Sequence, residues 1–260
     1  MKRVKLDYYN DIPERFNNIL NNATVYDSSC SHDAKVYFID KACGFYLKTA
    51  PKSTLLREAL MTDYFHKKGF GAEVVEYLSE EADWLLTTAV KGEDCTFKQY
   101  LDNPKRLCDI YANILRELHE TNFSGCPIKN RISEYIALAE ENYRTDNFDK
   151  SNFPDSFGYR SADEAYKVLQ EGKHLLKNEV LSHGDYCLPN VMLDNWKFKG
   201  FIDVGNGGIG DRHIDLFWAT WTLWFNLHTN NYYDRFLDAY GNDKVDHHKL
   251  KIVAAAEVFG

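Results

Sequence analysis

Three oxygen-bearing side chains stand in a sparse order near the middle of the chain. "SHGDYCLPN" places Asp185 two residues after His183 and Asn190 five residues after Asp185. Asp203 follows 13 residues beyond Asn190, at the end of a strand-like "GFIDV". An aspartate of this kind can orient a hydroxyl group and accept its proton. An amide oxygen and a second carboxylate suit a hard divalent cation that keeps water or phosphate oxygens for its other positions. Alone, Asp185 reads as a helix cap and Asn190 as a turn residue; the order acid, amide, hairpin, acid makes that pair of accounts improbable. The same stretch also holds Gly205-x-Gly207-x-x-Gly210, the outline of a dinucleotide-binding turn. That reading fails on context. The segment after Gly210 is helical, no alternating strands follow, and the first acid past the ribose position is Asp234.

The spacing H-x-D-x-x-x-x-N matches a kinase catalytic loop, in which the Asp meets the substrate hydroxyl and the Asn binds Mg²⁺. Phosphoryl transfer of this type also needs a strand lysine for the nucleotide phosphates and a helix glutamate to hold it. Lys48 ends "FYLK" on a predicted strand, and Glu58 lies on the helix that follows. Each could equally be an exposed charge; their order relative to 183–203 favours the pair. Mg²⁺ would be held by Asn190 and Asp203, with Lys48 on the phosphates and Asp185 at the hydroxyl.

The elements that must position these groups can be read in turn. "KVYFID" and "GFYLKTA" form a hairpin. "STLLREALMTDYFHKKGF" is a helix that Ser53 can cap and Gly69 closes. "AEVVEYLSEEADWLLTTAV" gives two strands with a turn at Ser79–Asp83. Thereafter helices dominate: one from Pro104, one over 131–144, one over 162–176, and more towards the end, interrupted by a short strand pair with its turn near Asp194–Lys197. The expectation is an α+β fold with a small β-rich lobe at 1–91 and a larger, mainly helical lobe at 92–260.

The net charge of −8 argues against a nucleic-acid partner and favours a cationic ligand. The six cysteines form no C-x-x-C pair and read as reduced thiols. Cys187 lies inside the loop motif but lacks an activating base. The most apolar run, "LFWATWTLWFNL", has 12 residues, short of the roughly 20 of a membrane span; with no signal-like start, a cytoplasmic protein without membrane partners is expected. Trp218, Trp221 and Trp224 in that run could line a ligand pocket, but a helix apolar all round is more often buried, so they read as core; His247-His248 reads as an exposed polar pair.

With these motifs in hand, the sequence resembles the aminoglycoside phosphotransferases that act at the 3′-hydroxyl, which are similar in fold to protein kinases. The resemblance rests on "SHGDYCLPN", "GFIDVGNGGIGDRHIDL", "FYLK" and "WLLTTAVKGE". It implies a protein-kinase-like bilobal fold and Mg²⁺-dependent transfer from ATP or GTP to a cationic aminoglycoside, giving antibiotic resistance in a monomer or weak dimer. It also implies that Asp185 is the base, that Ala89 and Val90 of "TTAV" meet the adenine edge, and that Ser31 and His32 lie in the phosphate-covering loop. Asp215 would brace the catalytic loop, and Glu257 would bind an amino group of the antibiotic. The phosphate-covering stretch "SSCSHDAKVY" departs from the family in lacking glycine, and two features depart on the substrate side: Asn206 replaces an arginine, and Ala256-Glu257-Val258-Phe259-Gly260 keeps one terminal acid of two. With Asp149 and Asp155 on the loop at 145–160, Asn206 and Glu257 are the candidate substrate contacts. The departures keep a second acceptor in play, namely choline, homoserine, a sugar or a macrolide. A non-enzymatic nucleotide-binding relic is the remaining alternative.

Overall fold

The computed structural model describes residues 3–9, 11–30, 34–153 and 155–260. The chain divides into two compact units, Met1–Gly92 with Lys199–Gly205, and Glu93–Phe198 with Asn206–Gly260.

The first unit is built on an antiparallel sheet of β1 (Val4–Lys5), β2 (Thr24–Asp27), β3 (Lys35–Asp40), β4 (Phe45–Pro51), β5 (Val74–Ser79) and β6 (Ala82–Thr88), in the order β1-β2-β3-β4-β6-β5. Side chains alternate between faces along a strand. Leu47 and Leu86 therefore enter one apolar cluster, with Val25, Tyr37, Ile39 and Trp84, closed by Phe16 and by Leu20 of α1 (Asn17–Leu20). Leu85 points to the other face and packs with Leu55 and Ala59 where α2 (Leu56–Lys67) covers the sheet. Lys48 pairs in register with Leu85, so it too lies on the α2 face.

The expected helix is present, but Ser53 does not cap it. Ser53 sits at φ 68, and the donors of the helix entry turn to the buried Asp83 of β6 instead. Asp83 accepts the N–H of Ser53 at 2.9 Å and of Leu55 at 2.8 Å, with the hydroxyls of Tyr77 at 2.9 Å and Ser79 at 2.6 Å. Burial alone would raise its pKa; these four donors overcome that and hold it below the usual carboxylate range.

The segment Lys199–Gly205 is tied into the first unit by backbone. Phe201 donates its N–H to Phe70 O at 2.6 Å, and its ring meets Phe65 and Phe70 with centroids 5.9 Å away in each case.

In the second unit, β7 (Glu93–Asp94), α3 (Lys98–Leu101) and α4 (Pro104–Glu120) come first, followed by α5 (Arg131–Thr145) and α6 (Ala162–Gly172). Next are β8 (Val180–Ser182), β9 (Val191–Asp194), β10 (Lys197–Phe201, which crosses the division), β11 (Gly208–Gly210), α7 (Arg212–Leu227), α8 (Tyr233–Tyr240) and α9 (His247–Glu257). The 3.6-residue spacing puts Leu107, Ile110, Tyr111, Ile114, Leu115 and Leu118 on one face of α4; all are buried but Ile110, which is half-buried. A cluster of Ile132, Tyr135, Ala165, Leu169, Ile214, Ile252, Val253 and Phe259 joins α5, α6, α7 and α9. β8 pairs antiparallel with β11, which the sequence did not announce, and this settles the glycine run. Gly208 lies at φ 152, and a Cβ there would meet Ile128 Cγ2 at 2.7 Å. Gly210 of the motif lies in β11 as well, where a Cβ would meet Ser182 Oγ at 2.8 Å, so it serves strand packing, not a phosphate turn.

Among the described residues no helix is long and apolar enough to cross a membrane. The reading of the three tryptophans as core is corrected for Trp221 and Trp224, while Trp218 packs against the core cluster. Trp218 and Trp221 are half-buried, and Trp224 is 46% exposed. α7 is apolar all round; its Ile214, Leu216, Ala219 and Leu223 side is buried, Phe217 and Trp218 pack partly against the core, and Trp224 and Phe225 are exposed.

Candidate active site

Within the first unit, Lys48, Glu58 and Asp203 come together. Lys48 Nζ donates to Glu58 Oε2 at 2.7 Å and stands 3.5 Å from Asp203 Oδ1. Burial works against the lysine's charge, yet the two carboxylates outweigh it and raise its pKa. Burial, with Asp203 adding, pushes Glu58 up, and Lys48 pulls it back. Two carboxylates facing one ammonium leave a negative charge over, a setting that favours a further cation. Asp203 adopts φ 57, a left-handed conformation unusual outside glycine. Such strain gathers where geometry serves function. Its side chain is 56% exposed. Arg57 Nε donates to Gly205 O at 2.7 Å and fixes the turn that carries Asp203 against α2.

Ala89 and Val90 follow β6. The N–H of Ala89 is taken by Gly44 O at 2.9 Å, so of its two backbone groups only the carbonyl can serve an adenine edge. Ser31 and His32 lie outside the described residues.

Within the second unit, β8 ends at Ser182 and the loop 183–187 leads into the 3-10 turn Leu188–Asn190. Asn190 Nδ2 donates to Asp185 Oδ2 and to Asp185 O, both at 2.9 Å. With its nitrogen engaged there, the amide's oxygen is the atom left to meet a cation. Buried Asp215 of α7 braces the loop, accepting the N–H of His183 at 2.8 Å and of Gly184 at 2.7 Å. His119 Nε2 holds the same carboxylate at 2.9 Å. The His183 ring accepts the N–H of Asp185 at 3.3 Å. Gly184 lies at φ 83, and a Cβ would fall 2.0 Å from Asn206 O, so no other residue fits. Tyr186 stacks on Tyr111 of α4, centroids 4.5 Å apart, and each hydroxyl donates to the other's carbonyl, at 2.6 and 2.8 Å.

The rest of "DRHIDL" is structural. Asp211 caps α7 through His213 N and also accepts from Lys177 N and Lys249 Nζ, while Arg212 pairs with Glu179.

A model of the phosphotransferase enzyme family (APH) matches residues 25–252. The chain belongs to the phosphotransferase enzyme family. It is 52% identical over 249 residues to a probable aminoglycoside 3′-phosphotransferase of Lactococcus lactis subsp. lactis, covering 95% of each chain. It is 29% identical over 230 residues to an aminoglycoside 3′-phosphotransferase of Streptomyces fradiae, covering 82% of this chain and 85% of that one. A crystal structure of an aminoglycoside-3′-phosphotransferase of type VIII superposes with a TM-score of 0.76 at 22% identity, over 95% of this chain and all of that one. The α+β, protein-kinase-like fold expected from the sequence is therefore present, and the chain is an enzyme of this phosphotransferase type.

In this phosphotransferase, Glu257 at the end of α9 accepts Tyr135 Oη–H at 2.8 Å and Trp218 Nε1–H at 3.0 Å, both on Oε1. Burial pushes its carboxyl up to about 7. Tyr135 escaped the sequence reading, as did Thr222, whose hydroxyl takes Leu188 N–H at 3.3 Å, and Trp218 was read only as core; apolar or helix-face positions give no local signal of a polar task. Asn206 contributes backbone: its carbonyl accepts Arg131 Nε–H at 2.8 Å. Asp149 is drawn into capping the turn 150–152 through Ser151, and Asp155 is exposed. Burial and then Asp185 raise the Cys187 thiol well above its ordinary value, so it is no nucleophile at neutral pH.

Among the described residues no group of three or more His, Cys, Asp or Glu side chains could hold a metal. A sparse amide and carboxylate set fits Mg²⁺, which takes its other oxygens from phosphates and water.

Proposed function

We propose that this enzyme transfers the γ-phosphate of ATP or GTP to a hydroxyl of an aminoglycoside, the 3′-hydroxyl, and so gives antibiotic resistance. The reading is carried by the Asp185–Asn190 pair, locked at 2.9 Å on a loop that Asp215 braces. Asp185 holds the acceptor hydroxyl and takes its proton. Lys48, fixed by Glu58, orients the phosphates. Asn190 and Asp203 are the Mg²⁺ ligands; the ion supplies positive charge to the phosphate oxygens when bound. The carbonyl of Ala89 and the backbone of Val90 take the adenine edge, and Ser31 and His32 the phosphates. Nucleotide contacts thus fall mainly in 1–91 and acceptor chemistry in 92–260. Glu257 receives an ammonium group of the acceptor. Asn206 is the nearest substitute for the family's arginine, and Asp149 and Asp155 are outer contacts. The substrate class is supported by the relative at 52% identity and by the net charge of −8. The enzyme is proposed to act in the cytoplasm as a monomer or weak dimer.

A coupled ADP-release assay over a panel of aminoglycosides, with ATP and with GTP, tests this. Turnover is expected to require Mg²⁺ and to fall about a thousandfold in Asp185→Ala. If the wild-type enzyme phosphorylates no aminoglycoside, the substrate assignment is lost.

A further inference from the structure

An aromatic strip runs along α7 from the half-buried Trp218, which packs against the core, to the exposed Phe225. Phe157, from the loop before α6, meets Trp218 at 6.3 Å between centroids. Trp218 meets Trp221 edge-on at 5.4 Å, and Trp221 stacks on Phe225 at 5.0 Å and 13°. Phe225 is 53% exposed, and Trp221 is half-buried. Large aromatic groups left partly uncovered in a row commonly mark a binding surface.

Two contacts tie the strip to the acceptor chemistry. Trp218 Nε1 donates to Glu257, and Thr222, next to Trp221, holds Leu188 N–H three residues beyond Asp185. One end of the strip therefore adjoins the carboxylate assigned to an acceptor ammonium, on the helix that holds the catalytic loop. Aromatic faces attract cations and pack against the flat C–H faces of sugar rings.

We propose that Trp221, flanked by Trp218 and Phe225, determines acceptor specificity by stacking on an amino-sugar ring remote from the reacting hydroxyl. This deepens the aminoglycoside reading and rests on it. The wall contributes binding and no chemistry, so its loss is read in KM, and in acceptors long enough to reach it.

Steady-state kinetics of the full chain with a two-ring and a four-ring aminoglycoside, for wild type, Trp221→Phe, Trp221→Ala and Phe225→Ala, provide the test. Trp221→Ala is expected to raise KM about tenfold for the four-ring acceptor and less than twofold for the two-ring one. Trp221→Phe should restore most of the difference. Calorimetric dissociation constants for nucleotide-free protein should follow the same pattern. Should Trp221→Ala fail to fold, Phe225→Ala carries the same comparison. Equal KM ratios across all four proteins overturn the wall while leaving the aminoglycoside reading standing. A wild-type enzyme that turns over neither acceptor removes the reading and the wall together. Unchanged kinetics with loss of a dimer in sedimentation would make the strip a self-association face and overturn the proposal.

Discussion

If Glu257 takes the acceptor's ammonium as proposed, it couples acceptor binding to pH. Burial sets its carboxyl at about 7, with Asp185 raising it and Tyr135, Trp218 and Arg131 working the other way. Its folded pKa lies above its ordinary 4.5, so between the two the folded chain binds more protons than the unfolded one. Its contribution to stability is therefore present below about 4.5 and is lost as pH rises through about 7. An ammonium ligand prefers the ionised form. KM for the acceptor should fall as pH rises through about 7, and Glu257→Gln should flatten that limb and weaken binding about tenfold, as measured by KM between about pH 6 and 8. Asp203 makes a second case. Asparagine tolerates its φ of 57 but lacks its charge. Asp203→Asn should leave the melting temperature within about 2 °C and lower kcat about a hundredfold.

The entry of α2 depends on a residue from another strand. Removing Asp83 strands two N–H groups and two hydroxyls at once. Asp83→Ala should cost about 3 kcal/mol, or about 6–12 °C in melting temperature by calorimetry, with Asp83→Asn milder. The same variant should loosen Glu58, on the first turn of α2, and with it Lys48. Ser53 was the legible candidate because it is local. Asp83 lies 30 residues away from it and reads only as a turn residue in "SEEAD". The same contrast runs through the fold. The hairpin of β3 and β4, the helix α4 and the order Asp185, Asn190, Asp203 were legible because period, turn chemistry and spacing are local signals. β8 and β11 are three residues each and meet across 26 residues, so neither length nor pattern marks them. α7 is apolar on every side, and periodicity cannot say which side the rest of the chain will cover.

Over the whole molecule, eight surplus negative charges would raise the local concentration of the polycationic acceptor proposed above. The effect is long-ranged and screened by salt, with a Debye length of about 10 Å at 0.1 M. KM for an aminoglycoside should rise severalfold between about 0.05 and 0.3 M salt while KM for a neutral acceptor stays flat, and initial-rate measurements at fixed pH would show it. α7 bears on how such an enzyme can change over generations. One helix supports the loop through Asp215 and Thr222 and steadies Glu257 through Trp218. A shift in its register would disturb all three duties at once, so substitutions along it will behave as a linked group with non-additive effects. A lineage under pressure from a new antibiotic cannot readily adjust that helix one position at a time. Its room to adapt lies in segments with fewer obligations, such as the exposed stretch 149–151.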